Sequence, residues 1–378
     1  MKINIHLVFI VLFMFNGFSI ANYKHKKPLP VIIDVDGDFD DFLAILYALK
    51  SKEELDVRGI TYQGDGWSNA ASAQNIVDIA DDIYPGKNLP VILGADYSLY
   101  ESDKNPSTLG TPGCTYQKAA PEGAGGKRDQ DLLMGLNRQL RLSKRIWYDV
   151  MKGFNITKDF ADLIDSTINQ TGKNPTIILT GPATNIVTLL RAYPIYSEKI
   201  DKVFWMGGAL NVSGNLFSIP NNTRAEFNVF FDCVAARELL DFNLDITLIP
   251  LDFTSKIPLN SAFFDKLSKL KSFYGRFVCK FLSLVRATWF GGDATFFARY
   301  YLWDPTAIAV VKNIGVAKIV SNRSLNVTCD GNLNHDGQFV RSNVLTKSNF
   351  KVATDPIVSN PIENSPFFQD FLKVIDYD

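Results

Sequence analysis

The sequence predicts an α/β fold: a single domain with a mostly parallel, Rossmann-like central sheet flanked by helices. Two observations carry this expectation. Short strand-like apolar runs alternate with segments of helical period along most of the chain, the order that gives parallel strands joined by helices. The 378 residues, 46% of them hydrophobic, can bury a large core, and neither an internal repeat nor a change of composition divides them.

In order, VIIDVD (31–36) reads as a buried strand and DDFLAILYALK (40–50) as the helix after it. DVRGITYQ (56–63) is a strand, SAQNIVDIADDIY (72–84) a helix and LPVILGA (89–95) the next strand. A polar, Gly-rich stretch from about 102 to 141 has no clean periodicity, and such long loops are usually functional or mobile. The alternation resumes with strand PTIILTG (175–181), helix ATNIVTLLRAY (183–193) and strand KVFWMGG (202–208). Helix FNVFFDCVAARELLDF (227–242) and strand DITLIPLDF (245–253) follow, then one long or broken helix over 260–290 and another over 305–313. The expected domain runs from about 27 to 378.

Ahead of it, residues 1–21 have the layout of a secretory signal peptide: Lys2, an apolar run from Leu7 to Phe15, and small residues Ser19 and Ala21 before the cleavage point. The expected location is therefore secreted, or the lumen of the endomembrane system. Six N-x-S/T sequons, at Asn155, Asn169, Asn211, Asn221, Asn322 and Asn326, are candidate glycan sites in such a chain. The four cysteines, Cys114, Cys233, Cys279 and Cys329, show no zinc-ligand spacing and allow three connectivities if all are paired. With 39 basic against 40 acidic residues, no global field draws the chain to nucleic acid or an anionic membrane, so a small or neutral ligand is the expected partner.

Against this even composition, VIIDVDGDFDDF places five aspartates between Asp34 and Asp41. Asp34 and Asp36 point to one side of a strand near its C-terminal end, where parallel sheets bind ligands. Asp40 and Asp41 fall in the first helical turn. The helix dipole contributes only about 0.3–1 kcal/mol, too little to keep several converging carboxylates ionised, so a cation is expected among them. Oxygen-only ligands point to a hard ion, and an extracellular setting favours calcium. An EF-hand loop fails here, with Phe39 in place of its Gly and Ile45 in place of its Glu. The strand followed by D-x-D-G also resembles the haloacid-dehalogenase-type phosphatases, which would make Asp34 a nucleophile, but Asp38 stands where that family has Thr.

DVDGDFDD more closely resembles the D-x-D-P-G-x-D-D signature of the nucleoside hydrolases, the inosine-uridine preferring N-ribohydrolase family, and three further segments do so in the same order. They are IILTGPATNI, WMGGALNVSGN followed by AEFNVFFD, and LWDPTAIAV. QGDGWSN, IPLDFTSKIPLN and GAGGKRDQD are similar to the secreted, plant-type branch. The resemblance implies calcium-dependent hydrolysis of nucleosides to base and ribose, for salvage. It implies a calcium held by Asp36, Asp41, Asp304 and the Thr180 carbonyl, with Asp36 also taking the proton of the attacking water and Asp34 supporting from behind. Asp40, Asn215, Glu226 and Asn228 match the ribose ligands, and Met206 lies beside the sugar. Two positions depart: Gly37 and Asp38 replace the usual Pro and Gly, and Trp303 stands where many members carry a His that protonates the leaving base. Trp303, with Trp67 and Asp65 as further base contacts, resembles the purine-preferring branch. His335, in NLNHDG, reads as a surface-loop residue. A phosphatase, or a nucleoside-binding glycoprotein that has lost its chemistry, is the alternative.

Overall fold

The computed structural model describes residues 27–64, 72–95, 98–99, 155–216, 219–288, 290–321, 324–344 and 346–377. The signal-like segment, the Gly-rich stretch, Asp65, Trp67, Cys114 and the Asn322 sequon lie outside the described residues.

Strand β1 (Leu29–Val35) leads into helix α1 (Phe39–Lys50), followed by β2 (Leu55–Tyr62), α2 (Ser72–Ile83) and β3 (Val91–Leu93). Then come α3 (Ile156–Thr171), β4 (Thr176–Leu179), α4 (Thr184–Ala192), β5 (Lys202–Met206), α5 (Phe227–Phe231), α6 (Cys233–Leu239) and β6 (Asp245–Ile249). Helices α7 (Leu251–Thr254), α8 (Ser261–Leu267), α9 (Phe273–Thr288), α10 (Asp293–Arg299) and α11 (Trp303–Lys312) precede β7 (Lys318–Ser321), β8 (Leu325–Val327), β9 (Phe339–Arg341), β10 (Asn349–Thr354) and α12 (Pro366–Ile375).

Eight strands form one sheet in the order β3-β2-β1-β4-β5-β6-β10-β7. Every pairing is parallel except β10 with β7. The first six strands follow the doubly wound 3-2-1-4-5-6 order, whose direction of winding reverses between β1 and β4. Alternation along β1 feeds two cores. Val31, Ile33 and Val35 pack with α1, α2, α9, α11 and α12 on one face, and Ile32 packs with α3, α4, α5 and α6 on the other. Strands covered on both faces have to be apolar throughout, which is why VIIDV reads so plainly. Among the described residues, no helix is long and apolar enough to cross a membrane.

The structure divides what the sequence leaves joined. The 227–242 helix breaks at Asp232, whose carboxylate turns back to cap α6 by accepting the Ala235 N–H at 2.9 Å. The 260–290 segment is two helices, α8 and α9, and Gly291 and Gly292 at φ 64° and 130° precede a third, α10. The strand read over 245–253 stops at Ile249, where Pro250 opens the short α7. Helices α3 and α12 and strands β7 to β10 are additional to the sequence reading; the strands have three to six residues, too few to display a period.

Helix α12 is docked by a buried charge. Lys312, at the end of α11, has no solvent-exposed side-chain surface and pairs with Asp370, which also accepts the Tyr47 hydroxyl of α1. Removing one partner of a buried pair strands the other charge, at about 3–5 kcal/mol. Asp370→Ala is therefore expected to lower the unfolding free energy in urea by about 3 kcal/mol, and Lys312→Met combined with Asp370→Leu to recover most of it. Equal midpoints for Asp370→Ala and the unaltered chain would show that the pair does not hold α12.

Candidate active site

The tips of β1 and β4 meet at the winding reversal, with Asp34 near the end of β1, Asp36 and Thr180 in the turns that leave the two strands, and Asp40 and Asp41 in the first turn of α1. The Thr180 N–H donates to the Asp34 carbonyl at 2.8 Å, continuing the β1–β4 ladder one residue beyond β4. Gly181 comes so near that a Cβ there would lie 3.0 Å from both the Cβ and the backbone nitrogen of Asp36. Gly37 takes φ 82°, a conformation that L side chains rarely adopt. The Gly-Asp departure therefore keeps a glycine in the turn, one position earlier than the family pattern, and frees position 38 for an aspartate that serves as the N-cap of α1.

This turn folds around Asp41. Its Oδ2 accepts the N–H groups of Gly37 and Asp38 at 3.0 and 3.1 Å, and its Oδ1 accepts the Thr180 hydroxyl at 2.6 Å. Asp36 accepts the Asp38 N–H at 3.3 Å. Across the site, the Asp304 N–H at the start of α11 donates to Asp40 Oδ2 at 3.3 Å. Asp34 lies below, fully buried, with Oδ1 accepting the Thr61 hydroxyl at 2.7 Å and the Asn185 amide at 2.8 Å. That enclosure suits the supporting position expected of Asp34 and leaves it poorly placed as the nucleophile of a phosphatase.

A second wall comes from β5 and α5. Glu226 caps α5, accepting the N–H groups of Asn228 and Val229 at 3.0 and 3.2 Å and that of Gly208 at 2.9 Å. Asn228 donates to the Thr180 carbonyl at 2.8 Å and the Met206 carbonyl at 3.2 Å, joining this wall to the aspartates. Asn215 accepts the Phe227 N–H at 2.8 Å and hydrogen-bonds Glu226. Close backbone approach explains the glycines of the segment: a Cβ on Gly214 would lie 1.8 Å from the Ala225 carbonyl oxygen. Met206 is buried in the core, and its sulfur lies 3.8 Å from the Asn228 amide. Trp303, half-buried beside Asp304, has its ring 5.4 Å from that of Tyr301, and its indole N–H donates to Ser255 at 3.4 Å.

Electrostatically the site is a cluster of buried acids. Burial pushes Asp34 up to about 7, and burial followed by the charge of Asp41 does the same to Asp40. Asp304 is raised well above the usual carboxylate range by burial and by Asp40, Asp41 and Asp38. Burial also raises Glu226, against the N–H groups it accepts. Among the described residues no ion pair reaches Asp34, Asp40, Asp41 or Asp304, and Asp34 Oδ2 is buried without a hydrogen-bond partner. Oxygen donors, buried, with acceptor capacity to spare and no cation of their own, fit a hard metal ion.

The aspartates are brought together in pairs, Asp40 with Asp304 and Asp41 with Thr180, rather than drawn in around one point. The one described trio with donor atoms all within 4.8 Å is Asp330, His335 and Asp336, in a loop between β8 and β9. His335 is half-buried in that loop and lies 3.8 Å from Asp330. Asp336 spends its two oxygens on the N–H groups of Asp330 and Gly331.

Sequence reasoning misses what stands behind the aspartates: Thr61, Gln63, Thr184, Asn185 and Asp232, all buried. The only signal for Thr184 and Asn185 is a polar pair at a helix start after Gly181 and Pro182, and polar residues are common at such starts.

The profile of the family described as inosine-uridine preferring nucleoside hydrolase matches residues 31–359. Nucleoside hydrolase 3 of Arabidopsis thaliana is 33% identical over 283 residues, covering 70% of this chain and 32% of its own length. A pyrimidine-specific ribonucleoside hydrolase of Escherichia coli is 26% identical over 238 residues, covering 61% of this chain and 63% of its own. The chain thus spans less than two thirds of either relative. The solved purine-preferring ribonucleoside hydrolase of Gardnerella vaginalis superposes with a TM-score of 0.68 at 23% identity, over 92% of this chain and 98% of that one, and has the same fold. With the four motifs on one sheet edge and the profile running through all of them, the chain belongs to the inosine-uridine preferring nucleoside hydrolase family.

Proposed function

We propose that this chain is a calcium-dependent N-ribohydrolase that splits ribonucleosides, purine ones in preference, into base and ribose for salvage. The observation that carries the reading is the buried wall of Asp36, Asp40, Asp41 and Asp304 tied through Asn228 and Thr180 to Glu226. Asp36, Asp41, Asp304 and the Thr180 carbonyl would hold calcium. When bound, the ion would neutralise the carboxylates and lower the pKa of a nearby water.

The chain's own residues do the rest. Asp36 takes the proton of the water whose oxygen attacks C1′. Asp40 and Glu226 accept hydrogen bonds from the ribose hydroxyls, and Asn215 and Asn228 bracket the same sugar. As the C1′–N bond breaks, positive charge grows on the ring, and the carboxylates stabilise it. Trp303 is the candidate platform for the base, with Trp67 and Asp65 as further contacts. The leaving purine, stacked on that ring, takes its proton from solvent, the proton that a His at position 303 would otherwise supply. The name of the Gardnerella relative supports purine preference, and that of the Escherichia relative opposes it.

The proposed location is outside the cytosol. The bridge between Cys233 and Cys329 and the exposure of Asn155, Asn169, Asn211, Asn221 and Asn326 support it.

Three outcomes are expected. Asp36→Asn lowers kcat for inosine at least ~10²-fold, within the range of acid/base catalysis, with an unchanged circular dichroism spectrum; near-normal turnover would remove Asp36 from the chemistry. Inosine exceeds uridine in kcat/KM by roughly tenfold, since stacking contributes ~1–3 kcal/mol per base, and Trp303→Ala narrows the gap; equal values for both nucleosides would refute purine preference, and tight inosine binding without base release would favour a binding protein. The third concerns pH. Asp34 and Asp40 have folded pKa values raised to about 7 from an ordinary 3.8, so the metal-free fold binds more protons than the unfolded chain and loses stability as pH rises from about 4 to 7. Calcium removes that penalty and needs deprotonated ligands. It should therefore raise Tm more at pH 7.5 than at pH 5, and an equal rise at both would contradict the assignment.

A further inference from the structure

The site has two halves on different parts of the chain: the aspartates at the tip of β1, and the Glu226–Asn228 wall that opens α5. Beneath both lies the first turn of α4. Asn185 donates its amide to Asp34 Oδ1 at 2.8 Å and accepts the Ala95 N–H at 2.9 Å. It packs tightly against Gly94, where a Cβ would fall 2.0 Å from its amide oxygen. Thr184, the preceding residue, donates its hydroxyl in another direction, to Asp232 Oδ2 at 2.7 Å, and receives the Gln63 amide at 3.4 Å. Asp232 is the break between α5 and α6, one helical turn beyond Asn228. It accepts the Ala235 N–H at 2.9 Å and the Leu99 N–H at 2.7 Å as well. Thr184, Asn185, Asp34 and Asp232 are all fully buried.

Consecutive helical residues diverge by about 100° around the axis, so one rigid turn grips both halves at once. We propose that Thr184 and Asn185 are positioning residues that hold the aspartate half and the sugar half of the site in one fixed relation. Neither is assigned to the cation or the ribose; each acts through an aspartate. The inference rests on the reading of the site as one for calcium and ribose. Buried hydrogen bonds in low dielectric suit the role, because each member has a specified partner and a missing one is costly.

The test uses the full chain, with calcium affinity measured by titration calorimetry and inosine kinetics measured separately. Thr184→Val keeps the shape of the side chain and removes the hydroxyl; Thr184→Ser keeps the hydroxyl. Asn185→Ala, which frees the Asp34 carboxylate behind the ligands, is expected to weaken calcium about tenfold, as loss of an outer partner of a metal site does. Thr184→Val should raise KM for inosine about tenfold while kcat changes less than about threefold. It should also weaken calcium several-fold, although the Thr184 hydroxyl donates to none of the proposed calcium ligands, and Thr184→Ser should restore both. Should Asn185→Ala fail to fold, the Thr184 pair decides alone. A Thr184→Val chain with a lowered Tm but unaltered KM and calcium affinity would overturn the proposal, leaving these residues a purely structural part. An unaltered chain that neither binds calcium nor releases base would instead refute the reading of the site, and this inference with it.

Discussion

Several carboxylates are buried together at the end of one strand, and the architecture around them follows from the cost of doing so. An ionised carboxylate without partners is driven to take up a proton, as the raised Asp34 and Asp40 show. The fold meets part of that cost with oriented donors: two turn N–H groups and a hydroxyl for Asp41, a hydroxyl and an amide for Asp34, a helix-start N–H for Asp40. Each donor demands a particular backbone path. Gly37 turns at positive φ so that its own N–H and that of Asp38 converge on one oxygen. Gly181 brings the β4 turn against Asp36. What these donors leave over is the attraction for a cation, which connects the folding problem to the proposed chemistry.

The sugar-side wall is held from outside by the β8–β9 hairpin. Gly208 lies so near Phe339 that a Cβ would come within 2.5 Å of the ring, and Gly337 as closely meets the backbone of Phe230 in α5. Buried Asn222 donates to the Leu333 and Asp336 carbonyls and accepts from Gln338, so the segment leading to Glu226 is fastened to the hairpin loop. The Cys233–Cys329 bridge closes 96 residues between α6 and the loop after β8. A loop of about that size stabilises by roughly 4–5 kcal/mol in the chain-entropy account. Of the three possible connectivities the structure uses a pairing that fastens the hairpin to α6, and among the described residues Cys279 is left free.

Local pattern and tertiary arrangement divide the explanation along physical lines. VIIDV, TIIL and DITLI are legible because a parallel strand buried on both faces has to be apolar throughout, and the five aspartates are legible because nothing local requires them. Their placement at a strand end follows from period and from the helix that comes next. Short edge strands such as KIVS carry no such signature, and the break at Asp232 looks like one helix because residues on either side keep the same apolar spacing. Asn185 and Thr184 are invisible for another reason: polar residues at a helix start cap helices in most proteins, and only here do their side chains reach Asp34 and Asp232.

The sequence by itself determined the α/β class, the order of the first six strands, the family, and the set of acidic residues that the site draws on. Those depend on periodicity and on motifs, which are properties of neighbours in the chain. The tertiary structure alone decided the winding reversal between β1 and β4, the meeting of Thr180 with Asp41 and of Asp304 with Asp40, the Cys233–Cys329 pairing, and the role of α4 beneath the site. Each of these joins residues far apart in the chain, and a contact of that kind is fixed by how layers pack rather than by any pattern along the chain.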